Sequence, residues 1–329
     1  MHQATYREAL REALREELKR DKSVFLLGED IAEYAGPYKV TQGLVDEFGH
    51  ERVRNTPLAE CAIAGAALGA ALVGMRPVAE LMYIDFSLIA LDQILNQIAK
   101  FRYMTGGGVK VPVVIRTQGG ASRSAGLHHS QSLEALYTHI PGLLVVMPST
   151  PYDAKGLLKA SIRDDNPVMF IEHKWLYNQS GELPEEEYLI PLGKAEVKRQ
   201  GSDITAISYS KSLVLTLKAA EMLEQEGISL EVVDLRTLKP IDKNTILDSV
   251  KKTGRVMIIH EACLTGGFGA EIAAIVAEEA FDYLDAPIKR VAALDSPIPF
   301  NPKLEDYVLP NENSIIKGAF DLMGKKILV

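Results

Sequence analysis

The chain has 329 residues, 47% hydrophobic and 24% charged, which is enough for two domains with large cores and excludes a low-complexity or disordered chain. A formal net charge of −8 argues against a general binder of nucleic acid or anionic membranes, so partners are expected to be proteins or small molecules. The longest uncharged apolar run, residues 61–75, is too short to span a membrane, and the two cysteines, Cys61 and Cys263, form no C-x-x-C pair and indicate no disulfide framework.

The N-terminal stretch MHQATYREALREALREELKRDK carries both charge signs and lacks the apolar region of a secretory signal. Thr5 with Glu8 fits a capping box, so an amphipathic surface helix is predicted, in a cytoplasmic protein or in a mature organellar form whose targeting peptide has been removed. Residues 24–27 read as a buried strand ending in Gly28-Glu29-Asp30. Carboxylates at the carboxyl end of a parallel strand lie where open α/β sheets bind ligands, although a solvated turn would also explain them.

Residues 54–76, RNTPLAECAIAGAALGAALVGMR, organise the chain. Thr56-Pro57 predicts a helix start, and the run of Ala, Gly, Leu, Ile and Val predicts a helix buried all round. Gly65, Gly69 and Gly74 would let other backbones approach. Glu60 then stands at the head of a buried helix, where an ionised carboxylate is costly unless paired; an exposed first turn facing the helix dipole is the plain alternative.

Further strands are predicted at 77–82, 111–117, 143–147 and 168–171, with helices at 86–104 and 153–162, a rhythm that implies a mostly parallel sheet covered on both faces. The loop QGGASRSAGLHHS, residues 118–130, can lie against a ligand, and its histidines can move protons near neutral pH; a solvated surface loop is the alternative. Residues 161–167, SIRDDNP, end a helix, and free carbonyls with Asp and Asn oxygens could hold a hard cation, though a helix stop before Pro167 is simpler. The polar stretch from 181 to 203 marks a domain boundary. Beyond it, strands at 204–209, 230–235, 256–260 and 288–293 and helices at 213–226 and 270–279 predict a smaller doubly wound domain.

No G-x-S-x-G and no Walker A sequence occurs. Gly266-Gly267-Phe268-Gly269-Ala270 opens a helix after a strand but lacks the third glycine of G-x-G-x-x-G, so it reads as a tight turn. A self-contained nicotinamide enzyme would have to use it.

With these segments placed, the chain resembles, essentially end to end, the β chain of the thiamine-diphosphate-dependent first component of 2-oxo acid dehydrogenase complexes, the pyruvate, branched-chain and acetoin dehydrogenase family. The resemblance is carried by LLGEDIAEYAGPYKVTQGL, NTPLAECAIAGAALGAALVGMRPVAELM, NQIAKFRYMTGG, HHSQSLEAL, PSTPYDAKGLLKASIRDDNPV, VVDLRTLKPID and PIPFNPKLED. It implies an α/β fold of two doubly wound domains, a pyrimidine-binding thiamine diphosphate domain over residues 1–185 and a smaller transketolase C-terminal-like domain over 203–329, joined by a linker at 186–202.

The same resemblance implies the site. Glu60 is the glutamate that shares a proton with the cofactor's aminopyrimidine and so activates the cofactor as an electron sink for decarboxylation. Glu29, Leu58 and Phe86 line that half of the cofactor, and His129, rather than His128, assists proton transfer and the acylation of a lipoyl group. A potassium ion is implied at Val113, Ser161, Ile162, Asp164 and Asn166, held mostly by main-chain oxygens. The chain has no Gly-Asp-Gly, so the Mg²⁺ and diphosphate half of the cofactor is expected on an α subunit, in an α2β2 heterotetramer that serves a dihydrolipoyl acyltransferase core and its lipoyl domain. Ile89 bears on the substrate, because some pyruvate-using relatives carry a polar residue about there. Acetoin cleavage and a non-catalytic scaffold are the competing functions.

Overall fold

The structure, a computed structural model, describes residues 1–122 and 124–325. It divides into two compact units, Met1–Gly119 with Leu136–Leu192, and Gly120–Ala135 with the chain from Gly193 on.

The first unit contains strands β1 (His2–Thr5), β2 (Val24–Glu29), β3 (Val53–Thr56), β4 (Arg76–Leu81), β5 (Val114–Gly119), β6 (Leu144–Val146), β7 (Val168–His173) and β8 (Ser180–Leu183). Its helices are α1 (Tyr6–Arg20), α2 (Leu44–Phe48), α3 (Glu60–Leu72), α4 (Ala99–Met104) and α6 (Pro151–Arg163), and α5 (Glu134–Thr138) leads back into it. Within the unit six parallel strands run in the order β6-β7-β5-β4-β2-β3. The chain passes from β2 to β3 on one side and then to β4 on the other, so the topological switch point lies at the carboxyl ends of β2 and β4, where open α/β sheets bind ligands.

The predicted N-terminal helix is α1, with the Thr5–Glu8 capping box in place. Its apolar stripe, including Leu10 and Leu14, is buried, and Glu17 receives Arg163 of α6 at 2.6 Å. Short β1 pairs antiparallel with β8, an element that the sequence pattern did not announce.

Three expectations are corrected here. The helix of the central stretch starts at Glu60, not at Thr56-Pro57: Thr56 ends β3, and the N-cap, Ala59, makes no side-chain cap. Pairing of β3 with β2 keeps residues 53–56 extended, which outweighs the local Thr-Pro signal. The helix is also not buried all round. Ile63, Ala64, Ala67, Leu68 and Ala71 face the interior, while Cys61, Ala62, Ala66, Gly69 and Val73 are exposed. Finally, 86–104 is not one helix but a 3-10 turn at Ile84–Leu88, a π-helical turn at Gln93–Ile98 and α4.

The second unit has β9 (Glu196–Arg199), β10 (Ile204–Ser208), β11 (Leu230–Asp234), β12 (Thr237–Lys239), β13 (Val256–Cys263) and β14 (Lys289–Ala293), with α7 (Ser210–Gln225), α8 (Lys243–Thr253), α9 (Gly269–Glu279), α10 (Pro302–Val308) and α11 (Glu312–Leu322). Its sheet runs β14-β13-β10-β11-β9, parallel except for edge strand β9, which lies within the polar stretch 186–202. Ile204, Leu230 and Met257 of the strands pack with Leu213, Leu223 and Ile315 of the helices.

Candidate functional site

The switch point of the first unit gathers Glu29, Glu60 and Phe86 through the elements that carry them. Glu29 is the last residue of β2 and only 4% exposed. The backbone of β4 passes so close that a Cβ at Gly28 would lie 2.7 Å from the Glu80 carbonyl oxygen, so only glycine fits there. Burial, then the negative charges of Glu60, Asp30 and Glu80, push the Glu29 carboxyl up to about 7. One of its oxygens, Oε1, is buried without a hydrogen-bond partner among the described residues. Such an orphan is expensive unless a bound group satisfies it.

Glu60 opens α3, so its half-buried carboxylate sits at the positive end of a thirteen-residue helix. Leu58, just before it, is 80% exposed, a large apolar side chain without cover. Phe86 is half-buried in the turn after β4, its ring 6.5 Å from that of Tyr83. An acid that favours its neutral form, a second acid on a helix N-terminus and apolar side chains together suit a ring that exchanges protons and presents apolar faces. These residues therefore fit an aminopyrimidine.

Behind this site lies a buried charge network that sequence reasoning missed. Arg116 of β5, 1% exposed, meets Glu172 of β7 at 2.6 and 2.9 Å and Glu80 of β4 at 2.7 Å. Burial works against its charge, but the two carboxylates more than offset it and hold the guanidinium above its ordinary pKa. The Tyr177 hydroxyl donates to Glu172, and Gln118 Nε2 donates to Glu80. Charged residues inside VAEL, VVIRTQ and VMFIEH, strands otherwise apolar, were the available signal.

Five oxygen-bearing positions were expected to hold a cation. Of these, the main-chain carbonyls of Ile162 and Asp164 each accept from Arg76 Nη1 at 3.0 Å, the Val113 carbonyl accepts from Val168 N–H at 2.9 Å, and Asn166 Nδ2 donates to Asp164 Oδ1 at 2.8 Å. The Ser161 hydroxyl donates to Leu157 O at 2.7 Å. Main-chain carbonyls retain a second lone pair, so these bonds leave acceptor capacity at the helix end.

His129 belongs to the second unit. It ends a short 3-10 turn, Leu127–His129, half-buried beside exposed His128. The loop is tied down rather than free: Gly120 N–H donates to Gln131 O, Ala121 N–H to Glu261 Oε1 at 2.6 Å, and Ser124 N–H to Glu305 Oε2 at 2.8 Å. Arg123 of this loop lies outside the described residues. Beside it is a cavity of about 510 Å³ lined by Leu127, Ser130, Glu261, Cys263 and Asp295, among others.

The glycine run 266–269 serves a side chain. A Cβ at Gly267 or Gly269 would come within 2.5 Å of the His260 imidazole, which is fully buried and whose pKa is lowered to about 4 by burial and by Arg290. The glycines make room for that ring.

Residues 2–179 match the transketolase pyrimidine-binding domain and residues 193–315 the transketolase C-terminal domain. The chain is 49% identical to a pyruvate dehydrogenase E1 component subunit beta of Rickettsia felis, over 96% of this chain and 97% of that one. It is 48% identical to a 2-oxoisovalerate dehydrogenase subunit beta of Bacillus subtilis, over 96% and 97%, and 47% identical to an acetoin:2,6-dichlorophenolindophenol oxidoreductase subunit beta of the same organism, over 98% and 97%. Among solved structures it is similar in fold to a split-gene transketolase described as an inactive β4 tetramer, with a TM-score of 0.80 at 24% identity and 98% of each chain covered. The two-domain α/β architecture, the site at the switch point and these likenesses agree: the chain belongs to the family of dehydrogenase E1 β subunits built from a transketolase pyrimidine-binding domain and a transketolase C-terminal domain.

Proposed function

We propose that the chain is the β subunit of a thiamine-diphosphate-dependent 2-oxo acid dehydrogenase that decarboxylates pyruvate or a related 2-oxo acid and passes the acyl group to a lipoyl domain. The observation that carries this reading is the buried, orphaned oxygen of Glu29 beside Glu60 at the switch point. Thiamine diphosphate, when bound, supplies the electron sink for decarboxylation. Glu60 would hold and return a proton at the ring nitrogen, its carboxylate kept in place at the α3 N-terminus. Glu29, neutral at pH below about 7, can donate a hydrogen bond where an ionised neighbour would repel. Leu58 and Phe86 would exclude water from the ring faces, and His129 would move a proton at the acyl-accepting end.

The diphosphate and its Mg²⁺ fall to an α subunit in an α2β2 assembly, since this chain has no Gly-Asp-Gly. Potassium at Val113, Ser161, Ile162, Asp164 and Asn166 would use the carbonyl lone pairs left beside Arg76. Among the described residues no helix is long and apolar enough to cross a membrane, which suits an aqueous compartment, the cytoplasm or an organelle interior. The partner beyond α is a dihydrolipoyl acyltransferase core. A second reading, acetoin cleavage, is favoured by the acetoin-type relative.

The test is co-expression with the cognate α subunit and a panel of pyruvate, branched-chain 2-oxo acids and acetoin, with lipoyl domain as acceptor. Lipoyl acylation from one 2-oxo acid that disappears in Glu60→Gln is expected; turnover preserved in that variant would leave a scaffold.

A further inference from the structure

We propose that Gln118 is a positioning residue that sets the cofactor-facing turn Ile84–Leu88, an inference that rests on the reading of Phe86 as part of the aminopyrimidine pocket. Gln118 is fully buried near the end of β5. Its amide is held by two bonds of opposite sense. Nε2 donates to Glu80 Oε1 at 3.1 Å, and Oε1 accepts the backbone N–H of Tyr83 at 3.1 Å. Glu80 Oε2 is engaged by Arg116, itself clamped by Glu172, so the ionised carboxylate presents only acceptors to Gln118. The amide therefore has one workable orientation, with its oxygen turned to Tyr83.

Tyr83 needs that acceptor. Its φ is +71° with ψ at 137°, a positive-φ conformation that tyrosine rarely adopts and that persists only when its surroundings impose it. The carbonyl of the same residue accepts the N–H of Phe86 at 3.1 Å, the bond that closes the turn. Buried charge thus orients an amide, the amide holds the strained residue Tyr83, and the carbonyl of Tyr83 closes the turn that carries Phe86.

Two variants in the complex with the α subunit test this. In Gln118→Met, of similar volume but without the amide, hydrogen exchange of a peptide covering residues 82–88 should speed up even without cofactor. Calorimetric affinity for thiamine diphosphate with Mg²⁺ should fall about tenfold, while kcat at saturating cofactor stays within about twofold. In Gln118→Glu the new side chain still offers Tyr83 an acceptor, but it meets Glu80 as a like charge when ionised and donates to it when protonated. Its affinity relative to the unchanged complex should therefore recover as the pH falls, whereas that of Gln118→Met should not. The titratable and charged groups on the elements around position 118 are Glu80, Arg116, Glu172, His173, Lys174, Tyr177, Tyr83, Asp85 and Glu29; measuring both complexes at each pH removes the titration that they share.

Unchanged exchange and affinity in Gln118→Met, or a ratio for Gln118→Glu that does not vary with pH, overturns the proposal. If Gln118→Met does not fold, the pH behaviour of Gln118→Glu decides alone. An unaltered complex that binds no thiamine diphosphate would sink the functional reading, and the exchange measurement would still decide whether Gln118 holds the turn.

Discussion

Glu29 and Glu60 stand on neighbouring elements with different surroundings. Glu60 heads a helix and keeps part of its surface in water, while Glu29 is enclosed and faces three other acids. Because the folded protein raises the Glu29 pKa from 4.5 to about 7, folding is unpenalised below the lower value, and stability is lost as pH rises through the upper one. Glu29→Gln should remove that dependence. Urea unfolding at pH 5 and pH 8 is expected to show a larger drop in stability for the unmodified chain than for Glu29→Gln, and equal drops would mean that Glu29 ionises as an ordinary surface acid. At Glu60 the effect is chemical rather than structural. Glu60→Gln in the assembled complex should cut turnover by about 10²–10⁴-fold with an unchanged melting temperature, as removal of a proton-transfer group does.

At the scale of elements, the buried ions of β4, β5 and β7 link three adjacent strands. Arg116→Met would leave Glu80 and Glu172 facing each other in a dry interior, so a loss of about 3–5 kcal/mol is expected in denaturant unfolding. Pairing Arg116→Met with Glu172→Gln should recover part of it. In the second unit, Gly269→Ala would place a methyl 2.5 Å from His260, and destabilisation of about 2–4 kcal/mol is expected. His260→Ala should relieve it in the double variant, which a double-mutant cycle measures. These elements also show what the sequence made legible. Alternation of short apolar runs with helices exposed the parallel sheets, and the Thr5–Glu8 pair exposed α1, because both signals are local. The start of α3, the broken helix after β4 and the exposed side of α3 were not legible: strand pairing, an irregular turn and tertiary cover decide them, and none leaves a mark within a few residues. For the site, Glu29 and Glu60 could be found as carboxylates at element ends. Glu80, Arg116 and Gln118 showed only as polar residues inside apolar strands, and only the register of β4 and β5 brings them together.

For the whole molecule, the proposed function makes a second subunit necessary to complete the cofactor site. The proposed cofactor site at the switch point of the first unit has an exposed Leu58 beside it and an α3 face of Cys61, Ala62, Ala66, Gly69 and Val73 that nothing in the chain covers among the described residues. No Gly-Asp-Gly is available for a diphosphate-bound Mg²⁺. An aminopyrimidine held by one pair of acids and two apolar side chains, with the charged end of the cofactor left in water, gains too little to offset its lost freedom of motion. Calorimetry should therefore detect no thiamine diphosphate binding by the isolated chain at micromolar concentrations, with or without Mg²⁺. The same chain co-purified with its α subunit should bind with Mg²⁺ dependence, and Glu29→Leu or Phe86→Ala in the β chain should weaken that binding about tenfold, even though neither residue meets the metal. Tight binding by the β chain alone would place the diphosphate site within this sequence and remove the need for a second subunit in forming the cofactor site.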